Sequence, residues 1–348
     1  MYENIKNIYD SLLDEESRMI FRYRLLYSLT GERRYIREWL AQYSKENKGY
    51  YDIYDVYKYP EILQNREIIT FGTGIWSNVI RRLLFFCESS FDFFCDNNPN
   101  KIGKELLGKR IISAGELASQ HKEAIVFVAT KDYQDEILMQ LEQLNFNRGQ
   151  IIHIPQSKIM YTDETLLLPK GREVFIDCGC YDGTSSIEFW KWCHGNGMIY
   201  AFEPDRKNIE SCRKNLNTIG ESNYCLIEKG VWSEETVLRF KANSESTSQL
   251  CEEGDTEVAV INIDSVVKEE DKITFIKMDI EGAELEALKG AVNTIKRDRP
   301  RLAISVYHKM EDILDIPAFI KSIVPEYKLY LRSYVPIDTE TVLYAICE

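Results

Sequence analysis

The stretch EVFIDCGCYDGT at 173–184, followed by MIYAFEPD at 198–205, constrains the fold of this chain more than any other. An apolar run, Val174 to Ile176, ends in Asp177. Gly179 and Gly183 then permit a tight turn before a helix-compatible segment from Thr184 to Trp192. A second apolar run, Met198 to Phe202, ends in Glu203. A glycine turn after one strand and an acid after the next suit a nucleoside ligand. The turn lets backbone approach it, and the carboxylate accepts hydrogen bonds from both ribose hydroxyls.

Strand and helix signals alternate on both sides of this stretch. Over 171–348 the strands are expected at 173–178, 198–203, 223–231, 273–279, 301–307, 327–334 and 341–347. The last two are separated only by a short polar stretch with Pro336 and Asp338, which predicts a hairpin and one antiparallel strand. The run from Ser244 to Asp255 is too polar to be core. Over 66–155 strands are expected at 67–71, 91–96, 124–130 and 150–154, with helices at 75–84, 115–120 and 133–144. Gly72-Thr73-Gly74 follows the first of these strands and Asp96 ends the second, but Ser77 stands where a third glycine would. Residues 1–65 read as a helical arm that becomes tyrosine-rich (Tyr50, Tyr51, Tyr54, Tyr57, Tyr59) and stops at Pro60. Packing onto the next domain is the favoured reading of those rings. The expected class is α/β: two Rossmann-like three-layer α/β/α domains, at 66–155 and 171–348, preceded by the arm and joined by a connector at 156–170.

Composition narrows the partners. A length of 348 residues suits two domains with their own cores. The net charge of −13 is the wrong sign for nucleic acid. No run of 18 apolar residues exists, so no membrane span is expected, and the charged start lacks a signal core, which points to the cytoplasm. Nine cysteines without paired spacing fit reduced thiols.

The turn itself reads Gly179-Cys180-Tyr181-Asp182-Gly183, with Thr184 opening the helix. A dinucleotide fingerprint needs GxGxxG, whose glycines admit a pyrophosphate to the helix N-terminus. Asp182 repels a pyrophosphate and favours a cationic ligand. A nucleoside with a cationic reactive end is S-adenosylmethionine. Asp177 and the 179–184 turn face its methionine half, Glu203 with Pro204 holds the ribose, and Gly230, Val231 and Trp232 flank adenine. Downstream, KMDIEGAE at 277–284 passes from strand to helix. Acids at a helix start complement the dipole by about 0.3–1 kcal/mol each, which accounts for one or two of them. Lys277, Asp279 and Glu281 alternate where a fourth strand meets such a ligand, so Asp279 and Glu281 read as catalytic. His308 ends LAISVYH at the same sheet edge, placed to receive a hydroxyl proton. A metal held by Asp279, Glu281 and His308 is the less favoured reading. Arg332 either clamps a substrate or pairs with nearby acids.

The set IDCGCYDG, AFEPD, GVWS, FIKMDIEGAELEALKGA, AISVYH, LRSY and TVLYAI resembles the FkbM-type S-adenosylmethionine-dependent methyltransferases over roughly residues 171–347. Much of that family reads D-x-G-A-N-x-G at the first turn, where this chain has Cys180, Tyr181 and Asp182. The resemblance implies a class I methyltransferase sheet and methylation of a hydroxyl oxygen, commonly on sugars or polyketide-type products. The 66–155 segment is similar to small Rossmann-like domains attached to glycan-modifying enzymes. Together these imply a small-molecule or saccharide acceptor in polysaccharide biosynthesis. The degenerate turn at 72–77 reads as a scaffold domain that orients the enzyme or makes it a homodimer, with a bound nucleotide or nucleotide sugar as the less favoured reading. The alternatives are a NAD-dependent oxidoreductase using Gly72, Gly74 and Asp96, and a non-catalytic protein of glycan assembly that binds the methyl donor.

Overall fold

Short runs of Val, Ile and Phe bounded by glycine and acids form strands because each is too short for a helix and buries β-branched side chains on both faces. Seven of them build the sheet that carries the candidate site: β1 Glu173–Cys178, β2 Gly197–Phe202, β3 Tyr224–Ile227, β4 Phe275–Met278, β5 Arg301–Ser305, β6 Lys328–Ser333 and β7 Thr341–Ile346. Their spatial order is β3-β2-β1-β4-β5-β7-β6. Only β7 runs antiparallel to its neighbours, the arrangement expected from the terminal hairpin. In this computed structural model residues 2–45, 50–155, 159–241, 249–250 and 256–347 are described.

Every residue of β1, β4 and β5 is buried. The helix Thr184–Trp192 lies on this sheet, with Phe189 stacked on Phe175 at 4.0 Å and Phe275 edge-on to both. At the far edge, Leu13 N donates to Leu329 O and Leu331 N donates to Ser17 Oγ, so the N-terminal segment covers the open side of β6. That pairing is why the first compact unit comprises residues 1–21, 159–333 and 340–348.

The second unit comprises residues 22–158 and 334–339. Its sheet runs in the order 51–52, 151–153, 125–128, 68–71, 93–95, 109–112 and 105–106. All neighbours are parallel except the final hairpin pair. Two features depart from expectation. The arm is not helical throughout, because Tyr51–Asp52 is a strand on the sheet edge. Glu105–Leu106 and Lys109–Ile112 form an additional hairpin, hidden in the sequence by its charged residues. Of the arm's tyrosines, Tyr57 is buried with its hydroxyl donating to Pro336 O at 2.7 Å and Tyr54 rests on Tyr43, whereas Tyr59 is exposed. No helix among the described residues is long and apolar enough to cross a membrane. Every described cysteine is a free thiol.

The expected strand at 223–231 is broken. Tyr224–Ile227 stays in the large sheet, whereas Gly230–Val231 pairs with Thr256–Ile261 in a separate four-stranded sheet. Apart from Gln249–Leu250, the polar run from Ser244 to Asp255 lies outside the described residues. The small sheet meets the helix Glu284–Lys289 at Gly290, where an added Cβ would lie 2.1 Å from Trp232 O and 2.9 Å from Asn262 Cβ. Gly290 has ordinary helical φ, so the constraint there is space alone. Gly290→Ala is therefore expected to destabilise the fold by at least about 1–3 kcal/mol, read as a lowered urea midpoint with unchanged slope. An unaltered midpoint would show that this packing yields without cost.

Candidate active site

The carboxyl ends of β1 and β4 are joined by a buried ion pair. Lys277 Nζ lies 3.0 Å from Asp177 Oδ1, and it also donates to Gly179 O at 2.6 Å and Cys178 O at 3.2 Å. Asp177 Oδ2 accepts from the hydroxyls of Ser185 and Ser186 at the start of the following helix. Burial works against the Lys277 charge, but Asp177 and Asp279 outweigh it and raise its pKa. Asp177, read from the sequence as a cofactor group, thus has both oxygens engaged by the protein. Gly179 also has a structural reason. Its φ is +75°, and a Cβ there would sit 2.1 Å from Asp279 O. The close approach the glycine allows is that of β4's own backbone.

The turn then brings its remaining residues to the end of β2. Tyr181, at φ 52°, is exposed, and its amide donates to Glu203 Oε2 at 3.0 Å. Asp182 Oδ1 accepts from Thr184 N at 3.0 Å, so its carboxylate also closes the helix start. Gly183, at φ +85°, lets the turn pack on Cys212 of the helix Arg206–Leu216. Cys180 Sγ lies 3.3 Å from Cys212 Sγ. Glu203 is 5% exposed, and Oε1 accepts from Asp205 N and Asn208 Nδ2. Burial raises its pKa, and these donors pull the other way. Oε2 has one protein donor and keeps a free lone pair. Gly230 lies beside Pro204, 3.8 Å from its Cγ to an added Cβ, so the small sheet sets Gly230, Val231 and the half-buried Trp232 next to the end of β2.

A second group gathers beyond β4 and β5. Asp279 Oδ2 accepts from Tyr161 OH at 2.6 Å, and Oδ1 accepts from Tyr307 OH at 3.2 Å. Burial opposes its charge, yet Lys277, Tyr161 and His308 hold its pKa below the ordinary value. His308 Nε2 faces Asp279 Oδ1 at 3.4 Å and Glu281 Oε2 at 3.7 Å. Its Nδ1 bonds Glu284 Oε1 at 2.9 Å. Burial would lower the His308 pKa, but Glu284 and the other carboxylates push it up to about 9. The imidazole is therefore protonated at neutral pH. Glu281, at φ 55°, is the exposed member, while Glu284 is fully buried. Glu340, raised to about 7 by burial and by Asp279, joins the same field.

Asp279, Glu281 and His308 are thus brought together as the sequence implied. Tyr161, Tyr307, Glu284 and Glu340 complete the group without having been singled out. Tyr161 lies in the irregular connector, where no periodicity marks it, whereas Tyr307 is the neighbour of His308, its ring tilted against the imidazole at 4.2 Å. Asp279, Glu284 and His308 offer donor atoms within 4.8 Å of one another, so the metal reading shifts from Glu281 to Glu284. The His308 imidazolium bridges Asp279 Oδ1 and Glu284 Oε1, while the buried Glu284 Oε2 has no hydrogen-bond partner among the described residues. Arg332 is elsewhere: it grips Asp14 through both terminal nitrogens and lies 3.4 Å from Glu16. Its charge is neutralised by the N-terminal segment, so the substrate-clamp reading gives way to pairing with acids. In the other unit, Asp96 Oδ2 accepts from Thr73 OH and Lys101 Nζ, and Oδ1 from Asn98 N.

Two outcomes follow from this electrostatic frame. Lys277→Met leaves Asp177 buried and uncompensated, which should cost about 3–5 kcal/mol, and Asp177→Asn in the same chain should restore much of it. Chemical denaturation of the three variants checks this; an additive double variant would contradict the pairing. His308 has a folded pKa above its unfolded value of about 6.5. Its contribution to stability is therefore complete below that pH and fades as the pH rises through about 9. The melting temperature should fall over this window, and His308→Gln should flatten the fall.

Residues 177–328 match the family described as the methyltransferase FkbM domain. The crystal structure of methyltransferase FkbM from Methylobacillus flagellatus KT is similar, with a TM-score of 0.52 and 20% identity over 82% of this chain and 92% of that one. Weaker overlaps include an rRNA methylase from Streptococcus thermophilus (TM-score 0.34, 16% identity, 51% of this chain and 87% of that one). Another is Aeropyrum pernix fibrillarin in complex with S-adenosyl-L-methionine (TM-score 0.33, 12% identity, 51% and 67%). No curated protein matches the chain. The strand order, with its single antiparallel member, is the one expected of a methyltransferase-like Rossmann sheet, and residues 177–328 are similar to the FkbM methyltransferase domain.

Proposed function

We propose that this protein transfers a methyl group from S-adenosylmethionine to a hydroxyl oxygen of a sugar, nucleotide sugar or glycan. The observation that carries this reading is the convergence at one sheet edge of the turn that meets Glu203 and the Asp279–His308 group. The residues present fit such a cofactor. Glu203 Oε2 retains a lone pair for a ribose hydroxyl. The carboxyl groups of Asp279, Glu281 and Glu284 outnumber the single imidazolium beside them, which favours a cationic ligand. When bound, the cofactor supplies an electrophilic methyl on a sulfonium.

The chain's own contribution is orientation and proton handling. Asp279, fixed by two tyrosine hydroxyls, accepts the hydrogen bond of the acceptor hydroxyl and aims its oxygen, and it takes the proton as the new bond forms. His308 keeps its own proton up to about pH 9, so at neutral pH it supports Asp279 by charge. Glu281, the exposed member, faces the acceptor side. The residues at 66–155 act as an accessory domain. Asp96 is ion-paired with Lys101 at 2.9 Å, a cation that competes with a ribose there and so disfavours the nicotinamide alternative.

Glu203→Ala should weaken S-adenosylhomocysteine binding by roughly 100-fold, through loss of charged hydrogen bonds. Asp279→Asn should leave that affinity within about threefold while lowering methyl transfer by roughly 100-fold or more. Calorimetry and transfer of labelled methyl to a panel of nucleotide sugars and oligosaccharides supply the two readouts. Equal loss of cofactor affinity in both variants would sink this division of roles, and binding of NAD(H) in place of S-adenosylhomocysteine would overturn the assignment.

A further inference from the structure

The second unit contains a cavity of about 520 Å³ that the methyl-transfer chemistry does not use. Its lining includes Arg33, Arg81, Arg82 and Lys109 together with the apolar Leu84, Phe85, Phe91 and Leu107. Such a cationic concavity is unexpected in a chain with a net charge of −13. Its charges do not cancel locally. Arg82 is paired with Asp338, and the lining acid Glu88 is paired with Arg37 at 3.0 Å. Arg33, Arg81 and Lys109 pair with no carboxylate among the described residues, so three positive charges face the cavity without a counter-charge. Arg33 is held in place: its guanidinium lies 3.7 Å from the Phe85 ring centroid and donates to Phe85 O at 3.1 Å. Arg81 and Lys109 come from separate elements, the helix Trp76–Phe86 and the strand Lys109–Ile112.

The other half of the lining is apolar. Phe85 and Leu107 remain 38% and 57% exposed, which leaves hydrophobic surface for a ligand to cover. A volume of this size matches a small organic molecule. Three uncompensated cations exceed what a monocarboxylate neutralises and suit a phosphate ester or diphosphate, with arginine supplying two-pronged hydrogen bonds. We propose that this cavity binds an organic phosphate or diphosphate whose body is apolar or aromatic, giving the second unit a ligand site of its own.

A nucleotide and a lipid-like alkyl phosphate share this chemistry, and titration separates them. The full-length protein is titrated by calorimetry with uridine 5′-diphosphate, n-octyl phosphate and inorganic pyrophosphate. Saturable binding of an organic phosphate with a Kd below about 100 µM is expected. Binding of the uridine compound alone assigns a nucleotide, and of the octyl compound alone a lipid-like ligand. R81Q/K109Q should weaken the interaction at least about tenfold, with its circular dichroism and melting temperature confirming the fold. Three results would each overturn the proposal. These are no saturation below about 1 mM by either organic phosphate, pyrophosphate binding as tightly as both, and an unchanged affinity in R81Q/K109Q.

Discussion

The buried contact between Lys277 and Asp177 organises the unit that carries the seven-stranded sheet of β1 to β7. It links the adjacent central strands β1 and β4, ties down the carbonyls of Cys178 and Gly179, and reaches through Asp177 to the two serines that open the next helix. Burying such a pair gains little stability compared with apolar side chains of the same size. What it supplies here is position. The glycine turn leaves β1 at a fixed angle, and Asp279 emerges from β4 within the field of the same ammonium. One cation therefore sets both the geometry of the turn and the ionised state of the carboxylate proposed to handle the acceptor proton.

Around this contact, groups that look interchangeable in composition divide into distinct roles. Asp177 and Asp182 close structure, one through lysine and serines, the other at a helix start. Glu203 receives backbone amides from the turn and from Asp205, yet keeps capacity for a ligand. Asp279, Glu281 and Glu284 surround His308, whose proton offsets part of their charge until alkaline pH. Burial, partner and position on the strand ends decide each role. The acidic residue type alone does not.

Much of the architecture was legible in the sequence because strand-forming runs, glycine turns and terminal acids are local signals. The alternation over 171–348, the terminal hairpin and the meeting of Asp279 with His308 all follow from them. What was hidden depends on distant partners. The reason for Gly179 is the backbone of Asp279, a hundred residues on in the chain. The split of 223–231 depends on a pairing with Thr256–Ile261 that no local pattern announces. Tyr161 comes from an irregular segment, and Arg332 meets Asp14 from the opposite end of the chain. The protonation of His308 could not be read from one strand end, because the buried Glu284 and the facing Asp279 and Glu281 create it.

The central claim is that a cationic nucleoside is held at the carboxyl edge of the seven-stranded sheet, between the glycine turn and Glu203. Hydrogen–deuterium exchange of the full-length protein with and without saturating S-adenosylhomocysteine tests it most directly. Slowed exchange at residues 179–184 and 203–208, with lesser change around 279–284, is the predicted result. Protection confined to 72–74 and 96–101, or no protection anywhere, would contradict it.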